Sequence, residues 1–476
     1  MNTTNPVPGT ETAPRPAAVR SGRARQGELR RWPPGRFCAS RVIARARLPA
    51  HARPRRIGIP CGDARLTALI RQQFLEARRD RWRGAAGTGL VLVAFVVLGF
   101  CLNTAVRMPC HDVCGLDIGR MYEDHHIDRA HPPYLSRDLE YPPLIGEVMY
   151  AAHAPFAHGL RGPFIDNMVL LTALAAVTTW MLWRRDGKRT WRWALAPPLL
   201  IQGLQNWDLL AVAPATIGLI QWENGAAFVA GFLLGTGAAA KLFPAMFVPI
   251  LAAASWYRGQ RRQSARVVAG AATGFAVFVL PVYAVVPSAL SYFVRFHGDR
   301  GPDRGAIWYF VFHGPARDAW FSGHGVVDFI TIVPSVLLVA ALVALTVFAG
   351  RGRITPFGAC ALATIAFLVT SKVYSPQYDL WIVPFFVLLP VRTKHVVNFY
   401  VASFAVFVLT ASDDHVLHRP ASGYLLGLAV VYRLVVYALV TRDILRTETR
   451  DASEPAGAAV IDLRDDAPAP SQVRRV

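Results

Sequence analysis

Long apolar runs separated by short basic segments constrain this chain more than any other feature of its sequence. The first run covers roughly Gly89 to Val106, and similar runs follow it to about residue 440. Hydrophobic residues make up 53% of the chain and charged residues only 17%. A run of about 20 apolar residues can cross a bilayer as a helix. The sequence therefore predicts an all-α polytopic membrane protein.

Much of the positive charge lies ahead of the first apolar run. Residues 1–84 contain nineteen Arg and five acidic residues, a net charge of +14 out of the chain's +20. Their Pro, Ala and Arg content predicts disorder, and contact with anionic lipid is favoured over nucleic-acid binding. We predict a mostly disordered cytoplasmic tail over 1–84, a transmembrane domain over 85–442 and a second disordered cytoplasmic tail over 443–476.

The basic segments also predict the topology. Because Lys and Arg favour the cytoplasmic side, the basic segments around 78–83, 184–192, 258–266 and 351–353 are placed inside. Both termini are then cytoplasmic, with about twelve net crossings of the plasma membrane. The same orientation places the polar segments on the extracytoplasmic face: 107–143, 205–208, 241–244, 287–327, 371–379 and 413–419. Their convergence on one face predicts a functional site there.

Two apolar stretches do not fit a simple spanning helix. Leu144–Ala157 is too short to cross, so a re-entrant or interfacial helix is predicted. Residues 226–256 are too long for one untilted helix and contain Lys241 and Pro244. We predict two short helices with an outer turn at 241–244. One long helix, with Lys241 reaching the membrane surface, is the competing interpretation.

The first polar loop, 110–144, contains five Asp, two Glu, three Arg and four His. Asp117 is followed by Arg120 and Tyr122, and a carboxylate in such a loop could act as a general base on a substrate hydroxyl. A helix cap or an ion pair with Arg120 would also explain Asp117. Asp208 is either a second functional acid or the cap of the next helix.

Two outward-facing cations suggest phosphate binding. Lys241, at the end of an apolar helix, suits a phosphate whose lipid tail runs into the bilayer. Lys372, followed by Gln377, Tyr378 and Trp381, combines a cation, an amide and two aromatic rings that could hold phosphate and sugar. A lysine reaching the membrane surface and an ordinary interfacial loop are the respective alternatives.

Cysteine usage leaves the first loop open to two interpretations. Cys110 and Cys114 could form a disulfide or remain two free thiols. No second pair of ligands follows at zinc spacing, so we expect no metal. No nucleotide-binding fingerprint appears either, and we expect no cofactor.

Five motifs in order resemble glycosyltransferase family 87, a group of bacterial mannosyltransferases that use polyprenol-phosphate mannose. The resemblance covers roughly residues 88–440. Its motifs are the Asp117–Tyr122 segment with Tyr141-Pro142-Pro143-Leu144, then NWDLLAV at 206–212, GTGAAAKLFP at 235–244, the Arg, Asp and Trp residues of loop 295–308, and SKVYSPQYDLWIVP at 371–384.

The resemblance implies a GT-C-type bundle of about twelve transmembrane helices with a helical first extracytoplasmic loop. It also implies a polyprenyl-phosphate sugar donor, with mannose as the sugar, and a glycan or glycolipid acceptor of the cell envelope. Asp117 matches the position of the family's base, while Asp112, Asp124 and Asp128 remain rival acids. Donor contacts are expected from the following residues: Arg120, Tyr122, Lys241, Lys372, Gln377 and Tyr378.

Two functions of other classes remain open from the sequence. A transporter or flippase of a lipid-linked sugar would place charged groups near the bilayer midplane, within a two-fold repeat of broken helices. A non-catalytic membrane scaffold would need none of the polar segments to converge. We see no clear internal repeat, and the polar segments gather on one predicted face, so an enzyme is favoured.

Overall fold

The computed structural model describes residues 87–106, 117–125, 127, 132–135, 138–153, 161–312, 324–413 and 420–453. The predicted N-terminal tail, Cys110, Cys114, Asp112, Asp128 and residues 454–476 lie outside this part of the chain. Within the described ranges every regular element is helical, which confirms the predicted all-α class.

The first half of the fold runs from the first apolar helix to the end of the segment that contains Lys241. Its α-helices are α1 (Gly87–Val106), α2 (Asp117–His125), α3 (Pro143–His153), α4 (Arg161–Asp186), α5 (Trp191–Ala194), α6 (Pro197–Gln202), α7 (Leu209–Glu223), α8 (Ala227–Ala240) and α9 (Phe247–Tyr257). A 3₁₀ turn, Phe243–Met246, lies between α8 and α9.

The second half contains the longer apolar helices. They are α10 (Arg261–Val285), α11 (Ser288–Asp299), α12 (Ile307–Val311), α13 (His324–Gly350), α14 (Pro356–Thr370), α15 (Val383–Leu388), α16 (Thr393–Asp413) and α17 (Pro420–Ser453). A second 3₁₀ turn, Pro376–Trp381, precedes α15.

Six of the described helices are long and apolar enough to cross a membrane. Their candidate spans are Gly87–Val106, Pro163–Asp186, Arg261–Val285, Asp328–Gly350, Thr393–Thr410 and Gly423–Arg446. Four shorter apolar stretches, of 10 to 17 residues, lie between them. The predicted count of about twelve crossings is not confirmed, because much of the remaining apolar sequence is divided among helices shorter than a normal span.

The chain breaks at Lys241, as the two-helix interpretation predicted. The backbone of Lys241 is extended, with φ −146° and ψ 133°, and α8 ends just before it. Pro244 then lies in the first turn of the 3₁₀ segment, where its missing N–H costs nothing. The competing single long helix is therefore wrong. The α3 helix is 11 residues long, which is consistent with its prediction as a segment too short to span.

Glycines allow α8 and α10 to cross with their backbones in contact. Cβ atoms added at Gly231 and Gly235 would lie 2.0 and 2.1 Å from the carbonyl oxygens of Val267 and Ala271. Gly270 and Gly274 on α10 face α8 with equally little space. Small residues that permit close backbone approach are typical of helix packing in membranes. The crossing fixes α8, whose last residue immediately precedes Lys241.

The last helix extends beyond the boundary predicted at residue 442. It continues to Ser453, and Asp443 and Ile444 are buried. The Asp443 carboxylate lies 2.7 Å from Nδ1 of His395 and accepts a hydrogen bond from the backbone N–H of Arg392. These contacts hold the last helix against the start of α16, one residue past the predicted boundary.

Candidate active site

Asp117 lies at the first position of α2, where it meets two amide side chains from distant parts of the chain. Its Oδ2 accepts hydrogen bonds from Nδ2 of Asn206 and from Nε2 of Gln377, each at 3.2 Å. Asn206 lies between α6 and α7, and Gln377 lies in the second 3₁₀ turn. Two amide donors fix the orientation of the carboxylate.

Asn206 is buried among apolar helices, so its amide must be satisfied by other polar groups. Its Nδ2 also donates to the hydroxyl of Tyr141 at 2.8 Å, and its Oδ1 accepts the backbone N–H of Trp207. The indole N–H of Trp207 in turn donates to Asn167 on α4. The short polar tip between α6 and α7 is thus anchored to α4 on one side and reaches Asp117 on the other.

Lys241 and Asp208 form a buried ion pair beside Asp117. Lys241 Nζ lies 3.2 Å from Asp208 Oδ2, and the Trp381 indole N–H donates to Asp208 Oδ1 at 2.6 Å. The Lys241 side chain is 8% exposed and that of Asp208 is fully buried. Burial raises the pKa of the Asp208 carboxyl, while the charge of Lys241 and the Trp381 indole oppose that rise.

Aromatic rings enclose the Lys241 ammonium on two sides. Its Nζ lies 5.3 Å from the ring centroids of both Tyr141 and Tyr378. Tyr378 stacks on Trp381, and Trp381 stacks on Phe243, each with centroids 4.3 Å apart. The electron-rich faces of aromatic rings attract a cation. An anion that reached this ammonium would also contact the two tyrosines.

Tyr134 fixes the return of the first loop to the membrane domain. It has a left-handed backbone, with φ 69°, and its hydroxyl donates to the carbonyl oxygens of Tyr141 and Pro142 at 3.0 Å each. A bulky residue rarely adopts this conformation. The contact sets the position of Tyr141, which faces both Asn206 and Lys241.

Two further ion pairs lie next to this cluster. His125 at the end of α2 pairs with Glu140 at 3.1 Å, and the hydrogen bond that the imidazole donates to the Glu140 carboxylate raises the pKa of His125. Burial acts to raise the pKa of Glu140, but the hydrogen bond and charge of His125 and the charge of Arg300 lower it overall. Arg300 itself pairs with Asp303 at 3.0 Å and remains partly exposed.

An apolar cavity of about 130 Å³ adjoins the polar cluster. Tyr141, Pro142 and Pro143 form one wall, and residues of α10 and α11 form the others, including Phe275, Val279 and Phe293. Tyr141 is therefore shared: its hydroxyl and ring face the charged groups, and the same side chain borders the apolar space.

The comparison with known families decides what kind of protein carries this site. A model of glycosyltransferase family 87 matches residues 140–376, about half of the chain. The chain belongs to glycosyltransferase family 87. The comparison with curated proteins gives no match.

Membership of family 87 makes this protein a membrane glycosyltransferase, in agreement with the resemblance seen in the sequence. The matched residues include Asn206, Asp208 and Lys241. Asp117 lies well before the match and Gln377 immediately after it, so their place in the site rests on their hydrogen bonds.

Five of the residues singled out in the sequence come together in this family 87 protein. Asp117, Asp208, Lys241, Gln377 and Tyr378 all belong to the cluster described above.

Three other residues that were predicted to bind the donor lie elsewhere. Arg120 is exposed and pairs with Asp124 on its own helix. Tyr122 is buried and donates to the carbonyl of Met149. Lys372 donates to Gly298 and Thr331, each at 2.6 Å, and so links its segment to α11 and α13. No described contact joins these three to the Asp117 carboxylate or to the Lys241 ammonium.

Three more residues complete the cluster, and the sequence had suggested a site role for only one of them, Trp381. Asn206 donates to Asp117, Tyr141 borders Lys241, and Trp381 holds Asp208. Asn206 lies in the polar segment 205–208 and in the NWDLLAV motif, but the sequence does not show that it contacts Asp117. Tyr141 gives no comparable signal, since aromatic residues at a membrane interface are common.

Proposed function

We propose that this family 87 glycosyltransferase transfers a mannosyl residue from polyprenyl phosphate to a glycan or glycolipid of the cell envelope, on the extracytoplasmic face. The observation that carries the proposal is the shared position of Tyr141. A lipid phosphate bound at Lys241 would have its tail beside the apolar cavity, and Tyr141 would contact both parts. A donor with a charged head and an apolar tail fits this arrangement.

In the proposed reaction Asp117 acts as the general base. Its carboxylate takes the proton of the acceptor hydroxyl, whose oxygen then attacks the anomeric carbon of the sugar. The bond between that carbon and the phosphate oxygen breaks, and polyprenyl phosphate leaves with the electron pair. Attack opposite the leaving group inverts the anomeric configuration.

The leaving phosphate gains negative charge, which nearby cations would stabilise. Lys241 is already desolvated and oriented by Asp208, so little rearrangement is needed when the charge develops. Arg300 is a second cation near Lys241, since it interacts electrostatically with both Tyr141 and Tyr378. Gln377 orients Asp117, and Tyr378 offers a ring against which a sugar could stack.

Transfer from synthetic lipid donors tests the proposal. Membranes containing the wild-type protein are supplied with polyprenyl-phosphate mannose, glucose or arabinose, and the glycolipid products are measured. We expect transfer from the mannose donor and a loss of about 10²- to 10⁴-fold in Asp117→Asn, the usual contribution of a general base.

Asp124→Asn is the matched control, because Asp124 lies on the same helix but is exposed and paired with Arg120. This variant is expected to retain wild-type transfer. Wild-type turnover by Asp117→Asn would contradict the assignment of the base. Transfer from only the glucose or the arabinose donor would contradict mannose as the sugar, but it would not contradict the assignment of the site.

A further inference from the structure

Arg433 is a charged residue within the last membrane span, and it takes no direct part in the cluster around Asp117. It lies within the candidate span Gly423–Arg446, and its side chain is 1% exposed. A charge buried in a spanning helix is costly and generally has a specific partner and role. Arg433 also lies outside the segment matched by the family model.

The guanidinium of Arg433 contacts two separate segments at once. It stacks on the ring of Tyr374, with 3.6 Å from Cζ to the ring centroid, and its Nη1 lies 3.9 Å from Oδ1 of Asp379. Its Nη2 donates to the carbonyl oxygen of Gly305. One side chain of α17 thus reaches both the 371–381 turn and the 300–312 loop.

Asp379 connects this contact to the proposed catalytic groups. It is fully buried, and its Oδ1 accepts hydrogen bonds from the hydroxyls of Tyr374 and Tyr437. It belongs to the same 3₁₀ turn as Gln377, which donates to Asp117, and Tyr378, which faces Lys241. The position of Asp379 therefore determines where these two side chains lie.

The 300–312 loop and the 371–381 turn, which both contact Arg433, are also in direct contact with each other. A Cβ added at Gly305 would lie 2.2 Å from the carbonyl oxygen of Tyr374, so only glycine fits there. The backbone N–H of Asp303 donates to the carbonyl of Lys372, and Ser375 donates to the carboxylate of Asp303. Asp303 in turn pairs with Arg300. The two segments form one unit.

The Arg433–Asp379 pair is poorly suited to a purely stabilising role. Asp379 Oδ2 and Arg433 Nε and Nη1 have no hydrogen-bond partner within the described part of the chain. Buried ion pairs with unsatisfied atoms often contribute less stability than apolar residues of similar size. The pair is better explained by the geometry that it imposes on the segments it joins.

We propose that Arg433 is a positioning residue that holds the 371–381 turn and the 300–312 loop in the arrangement needed for transfer. Through Asp379 and Tyr374 it places Gln377 and Tyr378 against Asp117 and Lys241, and through Gly305 it places the loop that carries Arg300. The inference rests on the proposed function for its effect on rate. Its effect on the two segments does not depend on that function.

Hydrogen exchange and transfer measured on the full-length protein test this role. In Arg433→Gln we expect exchange about tenfold faster in both 300–312 and 371–382, because local opening of these segments becomes easier. Transfer from the lipid donor should fall about a hundredfold at saturating donor, since small displacements of positioned groups are costly in rate. Arg433→Lys keeps the positive charge but lacks the planar guanidinium, so its transfer rate should lie between those of Arg433→Gln and the wild type.

Asp443→Asn is the matched control on the same helix. Asp443 is equally buried and ion-paired, but it lies ten residues further along α17, about 15 Å away. Its loss should speed exchange near 392–396 and leave 300–312 and 371–382 unchanged. Equal effects of the two variants on the two segments would show general weakening of α17 and overturn the proposal.

The double variant Asp379→Asn/Arg433→Gln separates positioning from charge compensation. Arg433→Gln alone leaves Asp379 buried without its partner and should lower the melting temperature. Removing both charges should bring the melting temperature back towards the wild-type value, because no buried charge is left unpaired. Slow transfer and fast exchange should persist. Restored transfer in the double variant, or unchanged exchange in Arg433→Gln, would overturn the proposal. If the wild-type protein transferred no lipid-linked sugar, the proposed function would be wrong. The exchange data would still show whether Arg433 holds the two segments in place.

Discussion

Lys241 shows how a buried lysine side chain can be fixed in place from several sides. A carboxylate at 3.2 Å holds it from one side, and the rings of Tyr141 and Tyr378 face it from two others. Aromatic faces attract a cation without donating or removing a proton. The residue thus differs from an ordinary interfacial lysine, whose ammonium remains in water.

His125 and Glu140 attach α2, which carries Asp117, to the end of the first loop. The pKa of His125 is raised in the folded protein, so its stabilising contribution is fully present below 6.5 and is lost as pH rises through the raised pKa. The pKa of Glu140 is lowered, so its contribution is present above 4.5 and is lost as pH falls through the lowered pKa. The pair is therefore strongest between these limits.

We expect His125→Gln to lower the melting temperature at about pH 6 and to have much less effect at a pH above the raised pKa of His125, where the wild-type histidine is neutral. Thermal unfolding in detergent at the two pH values checks this. Asp124, Asp138 and Arg300 also act on the pair and remain in place in this variant. A loss of stability equal at both pH values would show that the charge of His125 contributes nothing.

Among the elements, the crossing of α8 and α10 determines where Lys241 lies. Four glycines bring the two backbones into contact, and α8 ends one residue before Lys241. Any side chain in this crossing would push the helices apart. The break after α8 then turns the chain so that the lysine meets Asp208.

Gly235→Ala should destabilise the protein, because the new Cβ would lie 2.1 Å from the carbonyl oxygen of Ala271. Overpacking of this kind typically costs about 1–3 kcal/mol. Gly423→Ala is the control: it makes the same change in a helix where nothing lies within 4 Å, and alanine there favours the helix by up to about 1 kcal/mol. Thermal unfolding should move in opposite directions, and a neutral Gly235→Ala would contradict the close crossing.

At the scale of the whole molecule, the polar cluster and the basic segments lie at opposite ends of α4. Asn167, near the start of α4, bonds with Trp207 beside the cluster. Arg185, near its end, pairs with Glu223 at 2.6 Å. Eighteen residues of helix separate Asn167 from Arg185, about 27 Å. This separation is close to the thickness of the apolar part of a bilayer.

We therefore expect the two ends to be accessible from different sides of the membrane. In a chain whose cysteines are replaced by Ser, Arg120→Cys should react with a membrane-impermeant maleimide on intact cells. Lys188→Cys should react only after the cells are opened, because basic segments remain in the cytoplasm. Labelling of both variants on intact cells, or of Lys188→Cys alone, would contradict the predicted topology.

The sequence by itself determined the helical membrane class and the family, and it favoured a break at Lys241. These features follow from local properties: the length of apolar runs, the position of Pro244 and the order of short motifs. It also indicated that Asp117, Lys241 and Gln377 belong to one site, because topology brings outward-facing segments together.

Only the tertiary structure decided which side chains meet. Arg120 and Tyr122 follow Asp117 closely in the chain, yet helical geometry directs one to the surface and the other into the core. Asn206 reaches Asp117 across 89 residues, and Arg433 reaches Asp379 across more than fifty. Contacts over such distances depend on how helices pack, which no local pattern of apolar and polar residues specifies.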